Sequence, residues 1–66
     1  MSINVEKLKS LIFNNGFTYT ELSQASGVSR GSISRIINND FKGRPSTIGK
    51  IAKVLNVKVE DLLQEE

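Results

Sequence analysis

Residues 17–38 read FTYTELSQASGVSRGSISRIIN, and this stretch decides the fold. Thr18-Tyr19-Thr20-Glu21 has the form of a capping box, in which the Thr18 hydroxyl accepts from the Glu21 amide and the Glu21 carboxylate reaches back to the Thr18 amide. Phe17 before the cap and Leu22 four residues after it supply the matching hydrophobic staple. A helix therefore starts at Thr18, and Ser26-Gly27 stops it within about two turns. Ser29 caps the next helix, with Val28 and Ile33 as its staple. Ile36 and Ile37 extend its apolar stripe until Asn38, Asn39 and Asp40 end it. Counting about 100° per residue from Arg30, the positions of Arg30, Gly31, Ser34, Arg35 and Asn38 fall between 0° and about 140°. The three isoleucines fall between about 240° and 340°. This helix has an apolar back and a front made only of Arg, Ser, Asn and Gly.

The flanking segments carry the same three- and four-residue apolar spacing, and none shows the alternation of a half-buried strand. Residues 2–15 place Val5, Leu8, Leu11 and Ile12 on one stripe, and Gly16 supplies the left-handed residue that ends such a helix. After a polar connection from Phe41 to Arg44, Pro45 and Ser46 introduce a fourth helix whose Ile48, Ile51, Ala52 and Leu55 occupy successive turns of one face. Lys50 and Lys53 fall elsewhere. A fifth short helix is expected near Lys58, with Val57 and Leu62 as its staple and Glu60 and Asp61 suiting its positive end. The expectation is all-α: five helices forming one compact domain over residues 1–66.

Composition narrows the function. A chain of 66 residues is about half the commonest domain size, and 38% apolar residues with five glycines is an ordinary globular proportion. So small a domain buries only about 60% of its unfolded surface, which leaves little for a deep substrate cavity and favours a surface-binding role. There is no cysteine, hence no disulfide and no thiolate metal site, which fits a reducing compartment. There is no histidine either, which removes the usual general base and the imidazole metal ligand. The acids form no paired constellation, so we expect no enzyme, no metal and no cofactor. With no apolar run near the roughly 18 residues of a membrane span, and no signal-peptide pattern, the chain reads as soluble and cytoplasmic.

Charge is unevenly placed. The nine cations and seven anions give a formal net charge of +2, yet residues 30–58 hold seven of the cations (Arg30, Arg35, Lys42, Arg44, Lys50, Lys53 and Lys58) and one anion, Asp40. The flanks are acidic. A basic middle suits a polyanionic partner, although lysines also line ordinary helix surfaces.

Two short helices joined by a tight turn at Gly27, the second with a polar front, are the parts of a helix-turn-helix. Residues 17–38 resemble the helix-turn-helix of the phage repressor and Cro family, the xenobiotic-response-element-like regulators. Residues 45–63, PSTIGKIAKVLNVKVEDLL, resemble its last two helices. The resemblance covers about residues 8–63 and rests on the joint spacing of Leu22, Gly27, Val28, Ile33 and Ile36 together with the EDLL ending. It implies a compact five-helix, lambda-repressor-like domain with the helix-turn-helix formed by helices two and three.

The resemblance also implies roles. In that family helix three lies in the major groove and the helix before it crosses the backbone. Carried over, Arg30, Gly31, Ser34 and Arg35 take the base-facing positions, with Arg35 and Arg30 the natural readers of guanine and a phosphate contact or a solvated surface position the alternative for either. Gly31 stands where the family has a longer side chain. It reads either as clearance for the DNA or as a helix fault of about 1 kcal/mol. Backbone contacts fall to Thr18, Tyr19, Ser29, Asn38, Lys42 and Arg44. Tyr19 replaces a frequent glutamine and reads equally as a phosphate contact or a rim-packed aromatic, while Ser29 is first of all a cap. Asn39 takes a position where the family often has a left-handed glycine.

One recognition helix covers only about 4 to 6 base pairs, so specificity calls for a dimer on a two-fold symmetric duplex with half-sites about 34 Å apart. Val54, Val57, Val59 and Leu63 are the candidate dimer surface, the alternative being that they complete a thin core. The expected function is a sequence-specific, double-stranded DNA-binding transcriptional regulator, a dimeric repressor of phage or mobile-element type. The competing function is a helix-turn-helix protein-interaction module such as an antitoxin or adaptor. The ending after EDLL suits both a complete small protein and the amino-terminal part of a longer regulator.

Overall fold

Asn4 opens the first helix by accepting the Lys7 N–H on its Oδ1 at 3.1 Å, so α1 runs Val5–Asn14 and begins later than the apolar pattern suggests. The computed structural model describes residues 3–38 and 44–64, and continues with α2 (Tyr19–Ser26), α3 (Arg30–Ile37) and α4 (Pro45–Val54). Each boundary has a local cause. Gly16, at φ +74°, lets the Gly16 and Phe17 amides bond back to the Phe13 and Ile12 carbonyls at 2.9 and 3.1 Å, which closes α1 and turns the chain toward α2. Pro45 occupies the first turn of α4, where its missing N–H has no partner to lose.

The end of α4 repeats the closure of α1 without a glycine. Asn56 adopts φ +59°, its N–H bonds to Lys53 O at 3.2 Å, and the Val57 N–H bonds to Ala52 O at 3.0 Å. Asparagine tolerates the left-handed region because its short polar side chain can bond locally. This stop is not apparent from the apolar spacing alone.

The expected fifth α-helix is instead a single 3-10 turn, Val59–Leu62. Lys58 has no side-chain acceptor with which to cap a longer helix. Only the Asp61 carboxylate, accepting the Lys58 N–H at 3.0 Å, secures the start. The end is set by tertiary pairing: Leu63 is extended at φ −86° and ψ 148°, forms an antiparallel bridge with Ile3, and Leu62 O accepts the Asn4 N–H at 2.9 Å. Continuing the helix would break that clasp between the two ends of the described chain.

Leu8, Ile12, Leu22, Ile33, Ile36, Ile48, Ile51 and Leu62 are fully buried, and Ile3, Val28, Ala52 and Leu55 complete the core. Each large side chain so placed stabilises the fold by about 1.5–3 kcal/mol relative to exposure. Val5, expected on the inward stripe of α1, stays outside this cluster, and Ile3 contributes from the terminal clasp. α2 packs on α3 and α4, α1 packs on α3, and the 3-10 turn is held between α1 and α4. The back of α3 is thus seated on two helices. Among the described residues no helix is long and apolar enough to cross a membrane.

Candidate nucleic-acid interface

The angle between α2 and α3 is held by serine hydroxyls as well as by packing. Ser23 Oγ donates to Val28 O at 2.6 Å, Ser26 Oγ donates to Leu22 O at 2.7 Å, and the Val28 N–H donates to Ser26 Oγ at 3.2 Å. Gly27 makes the turn at φ +77°, and its N–H bonds to Ser23 O at 2.9 Å. With Leu22 and Val28 buried on either side, the turn is fixed from within and from below. Sequence reasoning missed Ser23 and Ser26. The signal was available, since serines within a turn of a helix end commonly bond back to the main chain.

At the start of α2 both bonds of the expected capping box are present. The Glu21 N–H donates to Thr18 Oγ1 at 3.1 Å and the Thr18 N–H donates to Glu21 Oε1 at 2.9 Å. The Thr18 backbone N–H, and after it the Thr18 side chain, hold the Glu21 carboxyl below its ordinary value of 4.5. The Thr18 hydroxyl oxygen accepts the Glu21 N–H in this arrangement. Tyr19, the first residue of α2, is half-buried, and its ring stacks on Phe13 with centroids 6.1 Å apart and planes at 28°.

Ser29 caps α3, accepting the Ser32 N–H at 3.1 Å, while its hydroxyl donates to Ser32 Oγ at 3.0 Å. A phosphate at Ser29 would have to displace that second bond. Beyond the cap, Arg30, Gly31, Ser34, Arg35 and Asn38 are all exposed, while Ile33 and Ile36 are buried and Ile37 is half-buried. The structure therefore brings the four expected base-facing residues onto one open face, with Asn38 Nδ2 reaching Ser34 Oγ at 3.4 Å along it. Eight residues make α3 about 12 Å long, and the diameter of an α-helix with its side chains, about 10–12 Å, matches the width of the major groove of B-DNA.

Two features of this face run against helix stability. Arg30 places a cation at the positive end of α3, whose first turn has no acid. Gly31 lies in the same turn, and a Cβ there would meet only Ser29 Oγ, at 3.9 Å. Local conflicts of this kind are concentrated at functional or strained sites of folded proteins.

Arg44 is exposed at the start of α4, where its side chain makes no capping bond. Lys42, also expected at the backbone, and Asn39, expected to be left-handed, lie outside the described residues. Val54, Val57, Val59 and Leu63 are half-buried and pack against the core from its margin. Val57 and Val59 line a shallow groove with Gly49 and Ala52 between α4 and the 3-10 turn, whereas Leu63 is engaged with Ile3.

Comparison with known proteins agrees with this geometry. Residues 7–65 match the Cro/C1-type HTH DNA-binding domain. The SPbeta prophage-derived uncharacterized HTH-type transcriptional regulator YopO of Bacillus subtilis (strain 168) is 34% identical over 61 residues, which is 92% of this chain and 87% of that relative. No solved structure matches the chain. The helical order, the turn at Gly27 and the match over nearly the whole length lead to one assignment: the chain belongs to the Cro/C1-type helix-turn-helix DNA-binding family.

Proposed function

We propose that this DNA-binding regulator reads a specific duplex sequence by laying α3 in the major groove, and that it acts as a dimeric repressor of phage or mobile-element type. The exposed front of α3 carries the reading. Arg30 and Arg35 offer planar forks to guanine O6 and N7, Ser34 donates or accepts, and Gly31 lets the helix backbone approach a base pair or a thymine methyl. Thr18 and Tyr19 at the start of α2, with Asn38, Lys42 and Arg44, hold the sugar-phosphate backbone on either side, and Ser29 serves chiefly as a cap. The prophage relative's name supports a regulatory role.

Pairing of two copies through Val54, Val57, Val59 and Leu63 would set two recognition helices about 34 Å apart, one turn of the duplex. Selection of bound duplexes from a random pool at about 100–150 mM salt tests the whole reading, because non-specific phosphate binding weakens steeply as salt rises. The expected product is a two-fold symmetric site with half-site centres about one helical turn apart. Enrichment lost in the R30A/R35A double variant assigns the reading to α3. A pool with no enrichment overturns sequence-specific binding in favour of a protein partner.

A further inference from the structure

Phe13 is the large apolar side chain left mostly exposed among the described residues, at 59%. It sits in the last turn of α1, beside the chain reversal that enters α2, and its ring lies against Tyr19. Tyr19 follows Thr18, whose main chain and side chain are both tied to Glu21. The backbone of Tyr19 is thus fixed by the capping box and its ring by Phe13. Among the described residues no hydrogen bond engages the Tyr19 hydroxyl, and no side-chain polar atom is buried without a partner.

We infer that Phe13 is a positioning residue for DNA binding: stacking holds the Tyr19 ring so that its hydroxyl donates to a phosphate oxygen of the duplex. The inference rests on the proposal that the start of α2 meets the sugar-phosphate backbone, and it adds a residue outside both α2 and α3 to the binding surface. A phenol turns about two side-chain torsions, and a hydrogen bond from a freely turning ring loses much of its strength to the ordering it requires. Offset stacking restricts that turning before DNA arrives. Burial does little to account for a phenylalanine at this position, because most of its surface stays in water.

The test is a double-mutant cycle on affinity for the selected duplex, measured by fluorescence anisotropy at about 150 mM salt, where specific binding dominates. Y19F keeps the ring and removes the hydroxyl, and is expected to weaken binding about three- to tenfold, the worth of one hydrogen bond. F13A is expected to weaken it comparably, F13Y to restore nearly full affinity, and F13A/Y19F to bind within about twofold of Y19F alone. Thermal melting of F13A should stay close to that of the unaltered protein, and the slope of affinity against salt should be unchanged, since tyrosine is neutral. An F13A variant that binds at full strength overturns the inference. So does one whose effect multiplies with that of Y19F, because Phe13 then acts independently of the hydroxyl. If the unaltered protein selects no duplex, the DNA-reading proposal falls and carries this one with it.

Discussion

At the scale of a single residue, Gly27 and Gly31, four positions apart, make opposite demands on their backbones. Neither is crowded: a Cβ at Gly27 meets nothing within 4 Å, and one at Gly31 meets only Ser29 Oγ at 3.9 Å. Their backbones differ, because Gly27 is left-handed at φ +77° and Gly31 is helical. Gly27→Ala should therefore lower stability by about 1–2 kcal/mol, whereas Gly31→Ala should raise it by up to about 1 kcal/mol. Denaturant titration reads both signs. If Gly31 provides clearance for the duplex, the stabilised Gly31→Ala variant should also bind its selected site more weakly. A variant that is both more stable and equally tight in binding would remove Gly31 from the interface.

At the scale of the element, the start of α2 is governed by one reciprocal pair. Thr18→Ala removes the cap and should lower stability by about 1 kcal/mol in urea unfolding. The pair also makes stability depend on pH. Because the folded Glu21 carboxyl titrates below its ordinary 4.5, its contribution is fully present above that value and is lost as the pH falls through the lower folded value. Melting curves of the unaltered protein and Glu21→Gln should accordingly differ most near neutral pH and converge in acid. A gap that widens on acidification would contradict the capping geometry.

At the scale of the whole molecule, a thin core is closed by the two ends of the described residues. Leu62 is fully buried, and its carbonyl receives the Asn4 amide where residues from the start and end of the chain meet. Leu62→Ala should cost about 2–5 kcal/mol, against the roughly 3–5 kcal/mol that a core of this size supplies in total. Circular dichroism should show a largely unfolded chain at 37 °C, a larger loss than truncating any exposed residue of α3 produces. The same scale separates the two proposed kinds of DNA contact. Arg44→Ala should weaken all duplexes about evenly and reduce the salt slope by about 1, while Arg35→Ala should relax preference at one base position at a loss of about 1–3 kcal/mol.

Local chemistry determined much of this protein before any contact between distant residues is considered. The capping box at Thr18, the left-handed Gly16 and Gly27, the cap at Ser29 and proline in the first turn of α4 each act within four residues. Their spacing specifies the end of α1, the extents of α2 and α3, the start of α4 and the split of α3 into an isoleucine back and an arginine-serine front. The Asn4 cap of α1 and the left-handed Asn56 that ends α4 did not stand out from the apolar pattern. That Arg30, Gly31, Ser34 and Arg35 share one exposed face was legible for the same reason as the split of α3, since they lie on one side of one helix. Other features depended on long-range partners. Leu63 is extended because Ile3 lies beside it, which shortened the expected fifth helix to one 3-10 turn. Ile3 joins the core while Val5 does not, because the clasp of the two ends decides which apolar residue is covered. Phe13 reads as an ordinary helix residue until the reversal at Gly16 brings Tyr19 against it. Hydrophobic spacing shows that a face will be buried, but which neighbour covers it is settled only when the whole chain has closed.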